Sequence, residues 1–295
     1  MSRFGSARAW WLAIRPPTLG AAVAPVLVGS ALAARDGVFR LGPALAALLG
    51  GVLIQIGTNL ANDVDDFERG ADTAARVGPV RATQSGLLTM RQVRTGAWVA
   101  FGAAALVGVY LIVEAGWVIA AVGAAAIAAG LTYTGGPWPL GYHGLGDVCV
   151  FLFFGVAAVV GTYYVQAATV TAAALLLSVA VGALATAILV VNNVRDVETD
   201  RAAGKRTLPV RLGAAFGCGE YVALMALAYC VPVAMWQWEG TRPWPLLPLL
   251  SLPRAVQLVR TVVTAGDGPQ LNAALRGTAQ LELLFGALLA VGLLM

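Results

Sequence analysis

The sequence predicts an all-α membrane protein, a bundle of about nine transmembrane helices. Of its 295 residues, 59% are hydrophobic and only 12% are charged, whereas soluble globular proteins carry roughly 25% charged residues. The mean hydropathy is +0.79. So few charges cannot cover a water-facing surface for a chain of this length, which excludes an ordinary soluble domain. No polar domain is left to carry a nucleic-acid site, although the pI is near 9.2.

Nine apolar stretches of spanning length, about 17–25 residues, follow one another along the chain. They cover residues 16–34, 42–62, 95–113, 116–134, 148–166, 172–191, 221–238, 243–260 and 278–295. The first follows basic residues, as a signal peptide would, but its apolar part exceeds a typical signal core, so we interpret it as an uncleaved helix. The eighth is the weakest, because four prolines and Arg254 interrupt it. We expect one transmembrane domain over residues 1–295.

The basic residues orient this bundle. With the N-terminus in the cytoplasm and nine spans, every Lys and Arg except Arg35, Arg40 and Arg242 falls on the cytoplasmic side, as the positive-inside rule requires. The expected location is therefore a bacterial cytoplasmic membrane. Three cytoplasmic loop regions follow, at about residues 63–94, 133–147 and 192–213.

Eight of the 15 acidic residues occur in two short windows at the cytoplasmic ends of the second and sixth spans. The first window is NDVDDFERGAD, residues 62–72, where Asn62 lies four residues before Asp66, and Asn59, just upstream, lies four residues before Asp63. The second window is RDVETD, residues 195–200. Asn192, just before it, and Asp196 and Asp200 within it follow one another in steps of four. On continuing helices such spacings place the oxygen atoms on one face.

Carboxylates grouped at a membrane surface repel one another, and ionisable groups at that depth are rarely kept without a partner or a task. Mg²⁺ takes oxygen ligands, typically one or two carboxylates together with waters and phosphate oxygens. Basic residues that could neutralise a diphosphate follow each window, namely Arg69, Arg76, Arg81, Arg201, Lys205, Arg206 and Arg211. The windows therefore indicate a metal-bridged diphosphate site. The alternative is a pair of loops in which acids and bases bind only each other.

At these residues the chain resembles the UbiA superfamily of intramembrane prenyltransferases. Four blocks carry the resemblance, in this order: NLANDVDDFERGAD, RVGPVRATQSGLLT, YTGGPWPLGYHGLGDVCVFLFFG and NNVRDVETDRAAGKRTLPVRLG. Their order and spacing are similar to the branch that prenylates 1,4-dihydroxy-2-naphthoate in menaquinone synthesis. The resemblance extends from about residue 15 to about residue 213, and beyond it only the hydrophobic pattern is shared.

The resemblance implies transfer of a polyprenyl group from polyprenyl diphosphate to 1,4-dihydroxy-2-naphthoate, with loss of CO₂ and diphosphate and formation of demethylmenaquinone. It also implies Mg²⁺, as two ions, and a cavity open to the lipid bilayer. The expected metal-site residues are Asn59, Asn62, Asp63, Asp66, Asn192, Asp196 and Asp200, of which the four aspartates are the expected catalytic residues. The expected diphosphate-binding residues are Arg69, Arg81, Lys205 and Arg206.

One position departs from the superfamily pattern NDxxDxxxD. Its third aspartate would fall at Gly70, so Asp72 either replaces it or only shapes the loop. Candidate residues for the acceptor or for an allylic cation are Tyr133, Tyr142 and Asp147, and other aromatic candidates are Trp138, Phe153 and Phe154. His143 is interpreted as an exposed loop residue rather than a base.

Two rival functions remain open from the sequence. One is a sister prenyltransferase that uses another aromatic acceptor, such as 4-hydroxybenzoate. The other is a transporter or channel with intramembrane carboxylates, although such proteins usually carry them near the bilayer midplane on broken helices. Here the acids emerge together at one surface beside basic residues, which favours the enzyme.

Overall fold

The computed structural model describes residues 6–72, 78–240 and 243–295, and these contain helices and no β-strand. Arg3, Arg76 and Arg242 of the charge count lie outside the described residues. The α-helices are α1 Ala7–Ile14, α2 Pro16–Arg35, α3 Leu41–Glu68, α4 Met90–Ala115, α5 Trp117–Thr132, α6 Gly146–Val150, α7 Ala158–Ala167, α8 Ala172–Arg195, α9 Val197–Ala202, α10 Leu208–Leu212, α11 Ala214–Glu239, α12 Leu252–Thr264 and α13 Gly268–Leu294. Two 3₁₀ helices, Leu140–His143 and Trp244–Ser251, and a π-helix, Phe151–Ala157, complete the described elements.

Among the described residues, eight helical segments are long and apolar enough to cross a membrane by length and composition. They are Pro16–Arg35, Leu41–Glu68, Met90–Ala115, Gly146–Ala167, Ala172–Arg195, Ala214–Trp238, Trp244–Thr264 and Gly268–Leu294. The ninth predicted span corresponds to α5, an apolar helix of 16 residues. At 1.5 Å per residue it is about 24 Å long, shorter than the roughly 30 Å of a bilayer core. The chain is a multi-pass membrane protein, and the predicted all-α fold of about nine membrane helices is confirmed.

The weak eighth span changes helix type where its prolines lie. Trp244–Ser251 is a 3₁₀ helix that contains Pro248, and α12 begins at Leu252 with Pro253 in its first turn. Proline removes an intrahelical hydrogen bond and clashes with the preceding turn. The Ser251 hydroxyl donates to the Pro248 carbonyl at 2.6 Å and forms a 2.6 Å hydrogen bond with the Tyr229 hydroxyl. These bonds satisfy polar atoms inside the interrupted span.

The N-terminal region contains a helix that the apolar pattern did not predict. Helix α1 is capped by Ser6, whose hydroxyl oxygen accepts from the Ala9 N–H at 3.2 Å. It ends at Arg15, which adopts a left-handed backbone conformation with φ of +53°, and Pro16 then starts α2. The chain therefore bends sharply just before its first span.

The two halves of the bundle pack differently. A continuous apolar core joins α2, α7, α8, α11, α12 and α13, and includes the fully buried Leu184, Tyr221 and Phe285. Helix α8 lies at the centre of this half, since 72% of its apolar window is buried. In the N-terminal half, α3, α4 and α5 pack in a separate apolar cluster. With α2 and α7 they surround a cavity, described below.

The π-helix Phe151–Ala157 approaches α8 closely through two buried glycines. A Cβ atom on Gly155 would lie 2.6 Å from the Gly182 Cα and 2.8 Å from the Ser178 carbonyl oxygen. Both atoms belong to backbone that cannot move aside cheaply. Small residues allow such contact between membrane helices, where lipid supplies no hydrophobic drive for association.

We predict that Gly155→Ala lowers the melting temperature of the detergent-solubilised protein, because overpacking at this contact costs about 1–3 kcal/mol. The control is Gly102→Ala on the exposed face of α4, where an added Cβ meets nothing within 4 Å. That variant should melt at or slightly above the wild-type temperature, since alanine favours helix over glycine. Equal melting temperatures for wild type and Gly155→Ala would contradict the close contact.

Candidate active site

Three loops meet around the carboxylate of Asp66, which is 2% exposed at the end of α3. Arg81, from the loop after α3, donates to Asp66 Oδ2 at 3.1 Å. The Tyr142 hydroxyl, from the loop between α5 and α6, donates to Oδ1 at 3.0 Å. Lys205, from the loop after α9, lies 2.9 Å from the same oxygen. One buried carboxylate thus joins all three predicted cytoplasmic loop regions.

Asp63 holds the loop that follows α3. Its two carboxylate oxygens accept from the backbone N–H groups of Ala82 and Thr83 at 3.1 and 3.2 Å. The Asp63 side chain is buried, at 1% exposure. Carboxylates that accept from backbone N–H groups form strong, charge-assisted hydrogen bonds. The same bonds bring Arg81, the residue before Ala82, to Asp66.

Asp72 pairs with a base in the first loop. Its Oδ2 atom lies 3.1 Å from Arg81 Nε, and the Asp72 side chain is fully buried. Arg81 therefore sits between two carboxylates, those of Asp66 and Asp72. This contact favours a loop-shaping role for Asp72, one of the two roles that the sequence left open.

Lys205 connects the two acidic windows. Its Nζ atom is 2.9 Å from Asp66 Oδ1 and 3.9 Å from Asp200 Oδ1. It also lies over the Tyr142 ring, 4.9 Å from the ring centroid. A positive charge between the acids of the two windows is what their mutual repulsion requires. In this structure the cation that fills that position is a lysine ammonium.

The second window is not one unbroken helix, as its spacing of four had suggested. Helix α8 ends at Arg195 and α9 begins at Val197, so that Asp196 lies between them with φ of −98° and ψ of 11°. Backbone hydrogen bonds still run from Asp196 N to Asn192 O at 3.1 Å and from Asp200 N to Asp196 O at 2.7 Å. Asp196 and Asp200 consequently remain one helical turn apart despite the break.

The three candidate asparagines each already have a protein partner. The Asn59 amide donates to the Ile14 carbonyl and to the Thr18 hydroxyl, both at 3.0 Å. Asn62 Oδ1 accepts from the Thr134 hydroxyl at 2.7 Å. Asn192 is held by the side chain of Arg195. Asn59 and Asn62 also line the cavity described below.

Tyr142 is the aromatic centre of the charged cluster. The Arg69 guanidinium lies 5.3 Å from its ring centroid, and the Arg69 Nη2 group donates to the Gly136 carbonyl. The Arg206 backbone N–H donates to the Tyr142 carbonyl at 2.9 Å, and the Arg206 side chain is exposed. Burial, and next the negative charge of Asp66, raise the pKa of the Tyr142 hydroxyl well above its usual range. That hydroxyl therefore stays protonated and donates to Asp66.

An apolar cavity of about 540 Å³ lies between α2, α3, α4, α5 and the π-helix with α7. On α3 its lining runs from Ala47 to Asn62, roughly 22 Å at 1.5 Å per residue. The polar end is formed by Asn59, Asn62 and Tyr133, next to the acidic cluster. Glycine and alanine make up much of the remaining wall. The charged site therefore adjoins one end of a long apolar chamber.

The aromatic candidates divide into two groups. Tyr133, Phe153 and Phe154 line the cavity. Trp138 is 54% exposed and stacks on His143 with ring centroids 4.4 Å apart. The structure therefore brings the first group, but not Trp138, to the cavity.

Tyr133 also faces the buried carboxyl group of Asp147, which is 6% exposed. Burial, and next the charge of Asp147, raise the pKa of the Tyr133 hydroxyl above its usual range. A protonated tyrosine thus lines the polar end of the cavity, with a buried carboxyl group near it.

The donor set fits Mg²⁺ when phosphate oxygens contribute as well. Among the described residues, no three His, Cys, Asp or Glu side chains are grouped closely enough to hold a metal by themselves. Asp66 and Asp200 do supply hard oxygen donors to a shared cation. Mg²⁺ commonly takes one or two carboxylates and completes its shell with waters and phosphate oxygens, which suits a site that binds a diphosphate.

Sequence reasoning missed the partners that orient the acids. Arg195 contacts Asp196, Thr134 holds Asn62, and Asn272 of α13 contacts Arg195. The adjacency of Arg195 and Asp196 in NNVRD was a visible signal. The other two contacts join residues 72 and 77 positions apart in the chain, and no local pattern marks them.

Fold and site together define a polytopic membrane protein with a charged site at one end of an apolar cavity. The chain belongs to the UbiA prenyltransferase family, whose model matches residues 22–293. The 1,4-dihydroxy-2-naphthoate octaprenyltransferase of Mycobacterium tuberculosis is 42% identical over 286 residues, covering 97% of this chain and 96% of the relative. The protein of the same name in Escherichia coli is 37% identical over 293 residues, with 97% and 95% covered. A UbiA homolog from Archaeoglobus fulgidus, solved with DMAPP and Mg²⁺, superposes with a TM-score of 0.65 at 16% identity, covering 96% of this chain and 99% of that one.

We predict that Asp63→Ala loosens the loop at residues 78–89, because two backbone N–H groups lose a charged acceptor. Hydrogen bonds to charged groups contribute about 1.5–3 kcal/mol each, so amide hydrogen exchange of peptides from this loop should accelerate about tenfold or more. Asp65→Ala, at the same helix end, is the matched control and should leave the loop's exchange unchanged. Equal exchange rates in both variants would show that Asp63 does not hold the loop.

Proposed function

We propose that this protein transfers a polyprenyl group from polyprenyl diphosphate to 1,4-dihydroxy-2-naphthoate, releasing CO₂ and diphosphate and forming demethylmenaquinol, the reduced form of demethylmenaquinone, for menaquinone synthesis. The observation that carries the proposal is the junction of Asp66, Asp200 and Lys205 next to the polar end of the apolar cavity. The near full-length similarity to naphthoate octaprenyltransferases supports this acceptor.

The diphosphate would bind among the basic side chains of the three loops. Lys205 and Arg81 are held at Asp66, and Arg69 lies against Tyr142. A diphosphate offers these cations more negative charge than a single carboxylate does. Arg206, which is exposed, would join them from the third loop. Together they stabilise the charge that develops on the leaving group as the allylic C–O bond breaks.

Metal ions would be held by the acids and amides of the two windows. In our proposal two Mg²⁺ ions share these ligands, which are Asn59, Asn62, Asp63, Asp66, Asn192, Asp196 and Asp200. When bound, Mg²⁺ supplies Lewis-acid neutralisation of the diphosphate oxygens. Asp66 and Asp200, whose oxygens already share one cation, are the strongest of these candidates. Asp63 would act mainly by fixing the loop that carries Arg81.

The cavity would receive the prenyl tail and keep water from the allylic cation. Its mostly apolar wall would exclude water from the cation. Tyr133, Phe153 and Phe154 line the chamber where a delocalised cation would form, and aromatic faces attract cations. The electron-rich naphthoate carbon then attacks, the C–C bond forms and the carboxylate leaves as CO₂. Tyr133, Tyr142 and Asp147 would hold the hydroxyl groups of the acceptor.

The orientation of the bundle is also part of the proposal. The described parts of three loops, at residues 69–72 with 78–89, 133–145 and 196–213, contact one another around Asp66 and Tyr142, so they lie at one end of the bundle. With the N-terminus in the cytoplasm of a bacterium, this end faces the cytoplasm, where water-soluble naphthoate and Mg²⁺ are available.

We predict that membranes containing this protein convert polyprenyl diphosphate and 1,4-dihydroxy-2-naphthoate to demethylmenaquinol with Mg²⁺, and that a chelator stops turnover. An acceptor panel that includes 4-hydroxybenzoate, read by product mass, tests the acceptor and the loss of CO₂ together. Turnover should be greatest with the naphthoate. Metal-independent turnover, or preference for 4-hydroxybenzoate, would overturn the proposal.

Variants supply the control for this assay. Asp66→Ala and Asp200→Ala should each reduce turnover by orders of magnitude at normal membrane levels, because each removes a carboxylate from the junction of the windows. Glu198→Ala alters an exposed acid of the second window that pairs with the exposed Arg201. It should retain most of the activity.

We predict that Gly123→Phe makes the protein favour prenyl donors with short chains. Gly123 lines the cavity about 14 Å along α5 from its end at Thr132, and a Cβ there meets nothing within 4 Å. The phenylalanine should fill the far part of the chamber and reduce kcat/KM for octaprenyl diphosphate at least tenfold more than for geranyl diphosphate. The control, Gly102→Phe on the exposed face of α4, should leave that ratio unchanged. An unchanged ratio in Gly123→Phe would exclude this path for the tail.

A further inference from the structure

A fully buried arginine, Arg195, directly precedes Asp196 in the second acidic window. The Arg195 side chain is 0% exposed. Its Nε donates to Asp196 Oδ1 at 2.8 Å and its Nη2 to Oδ2 at 2.5 Å, a two-pronged contact with one carboxylate. Nη2 also donates to Asn192 Oδ1 at 2.7 Å. The guanidinium therefore fixes the direction of the Asp196 carboxylate as well as neutralising it.

The third side of this guanidinium is held by the last helix of the chain. Arg195 Nη1 donates to Asn272 Oδ1 at 2.8 Å, across 77 residues of sequence. Asn272 is in the second turn of α13, which starts at Gly268 with Asp267 as its cap. Helix α13 also packs on α2 and α8. Asn272 therefore ties Arg195 to a rigid part of the apolar core.

From Arg195 a chain of short contacts leads to the centre of the site. The Asp196 carbonyl accepts from the Asp200 N–H at 2.7 Å. The Asp200 carbonyl accepts from the Lys205 N–H at 2.8 Å, and the Lys205 ammonium reaches Asp66 at 2.9 Å. A shift of Asp196 would therefore also displace Asp200 and Lys205. The carboxylate of Asp196 keeps lone pairs beyond the two that Arg195 uses.

We propose that Arg195 and Asn272 are positioning residues for the diphosphate site, and that α13 serves the reaction by holding Arg195 against Asp196. The inference rests on the proposed function, since it concerns the same site. Its physical basis is that groups which orient a ligating carboxylate govern affinity without touching the ligand. Asn272 is suited to this task because its side-chain oxygen accepts a hydrogen bond from Arg195 Nη1.

The test compares near-isosteric replacements of Asn272. Asn272→Leu removes the acceptor oxygen, whereas Asn272→Asp keeps an oxygen in the same place. Binding of inorganic diphosphate with Mg²⁺ is measured by calorimetry on the solubilised full-length protein, alongside KM and kcat for both substrates. Gln270→Ala, an exposed amide on the same helix, is the matched control.

Asn272→Leu should weaken diphosphate binding about tenfold or more and raise KM for the prenyl donor, with KM for the naphthoate unchanged. Asn272→Asp should restore binding to within a few-fold of wild type, and Gln270→Ala should bind as wild type does. Arg195→Lys, which keeps the charge but loses the two-pronged contact, should lie between wild type and Asn272→Leu.

Wild-type diphosphate affinity in Asn272→Leu would overturn the inference, and so would equal weakening in Asn272→Leu and Asn272→Asp. If Asn272→Leu does not fold, Asn272→Ala gives the same comparison with less bulk. The binding assay needs no turnover. A wild-type protein that binds diphosphate but does not prenylate the naphthoate would therefore refute the proposed function while still testing Arg195 and Asn272.

Discussion

The site depends on the neutralisation of one buried carboxylate, that of Asp66. A lone carboxylate removed from water costs several kcal/mol, and Asp66 is kept in place by donors from three separate loops: Arg81, Tyr142 and Lys205. Because these donors reach it from the ends of different helices, the charge requirement of Asp66 joins the loops at one end of the bundle. The basic groups collected there are the ones that a diphosphate needs. The sequence had left open that the acids and bases of these loops bind only each other. Such acid–base pairs are present, and they also bring the residues of the site together.

The two halves of the bundle are packed differently and have different roles. The C-terminal half is a continuous apolar core around α8, with Leu184 and Phe285 fully buried. The N-terminal half contains the cavity, whose walls rely on small residues such as Gly108 and Gly161. A firm core on one side and a chamber on the other allow one end of the protein to hold charge rigidly while a flexible apolar chain is accommodated. Asn272 connects the firm half to the charged end through Arg195.

Much of the fold could be predicted from the lengths of the apolar stretches alone, and the errors of that prediction have physical causes. Helices α11 and α13 begin at Ala214 and Gly268, earlier than the predicted residues 221 and 278. Polar residues at the start of α13, and two glycines followed by Glu220 at the start of α11, interrupt the apolar pattern there. Helix α1 was missed because it is too short to span a membrane. The predicted continuous helix of the second window is broken at Asp196, which lies between α8 and α9 with ψ of 11°, because spacing alone does not mark where one helix ends and the next begins.

The sequence by itself determined that the chain crosses a membrane many times and that its acids and bases lie in two windows beside apolar spans, since both follow from which residues are adjacent in the chain. Only the tertiary structure decided which acid is central. Asp63 and Asp66 look alike in NDVDD, yet Asp63 binds the backbone of its own loop and Asp66 binds side chains from three loops. Of the partners of Asp66, Arg81 lies 15 residues away in the chain and Tyr142 lies 76 residues away. Lys205 is farther still. The reason is physical: the energy of a buried charge depends on the groups around it in space, and residue spacing does not encode them.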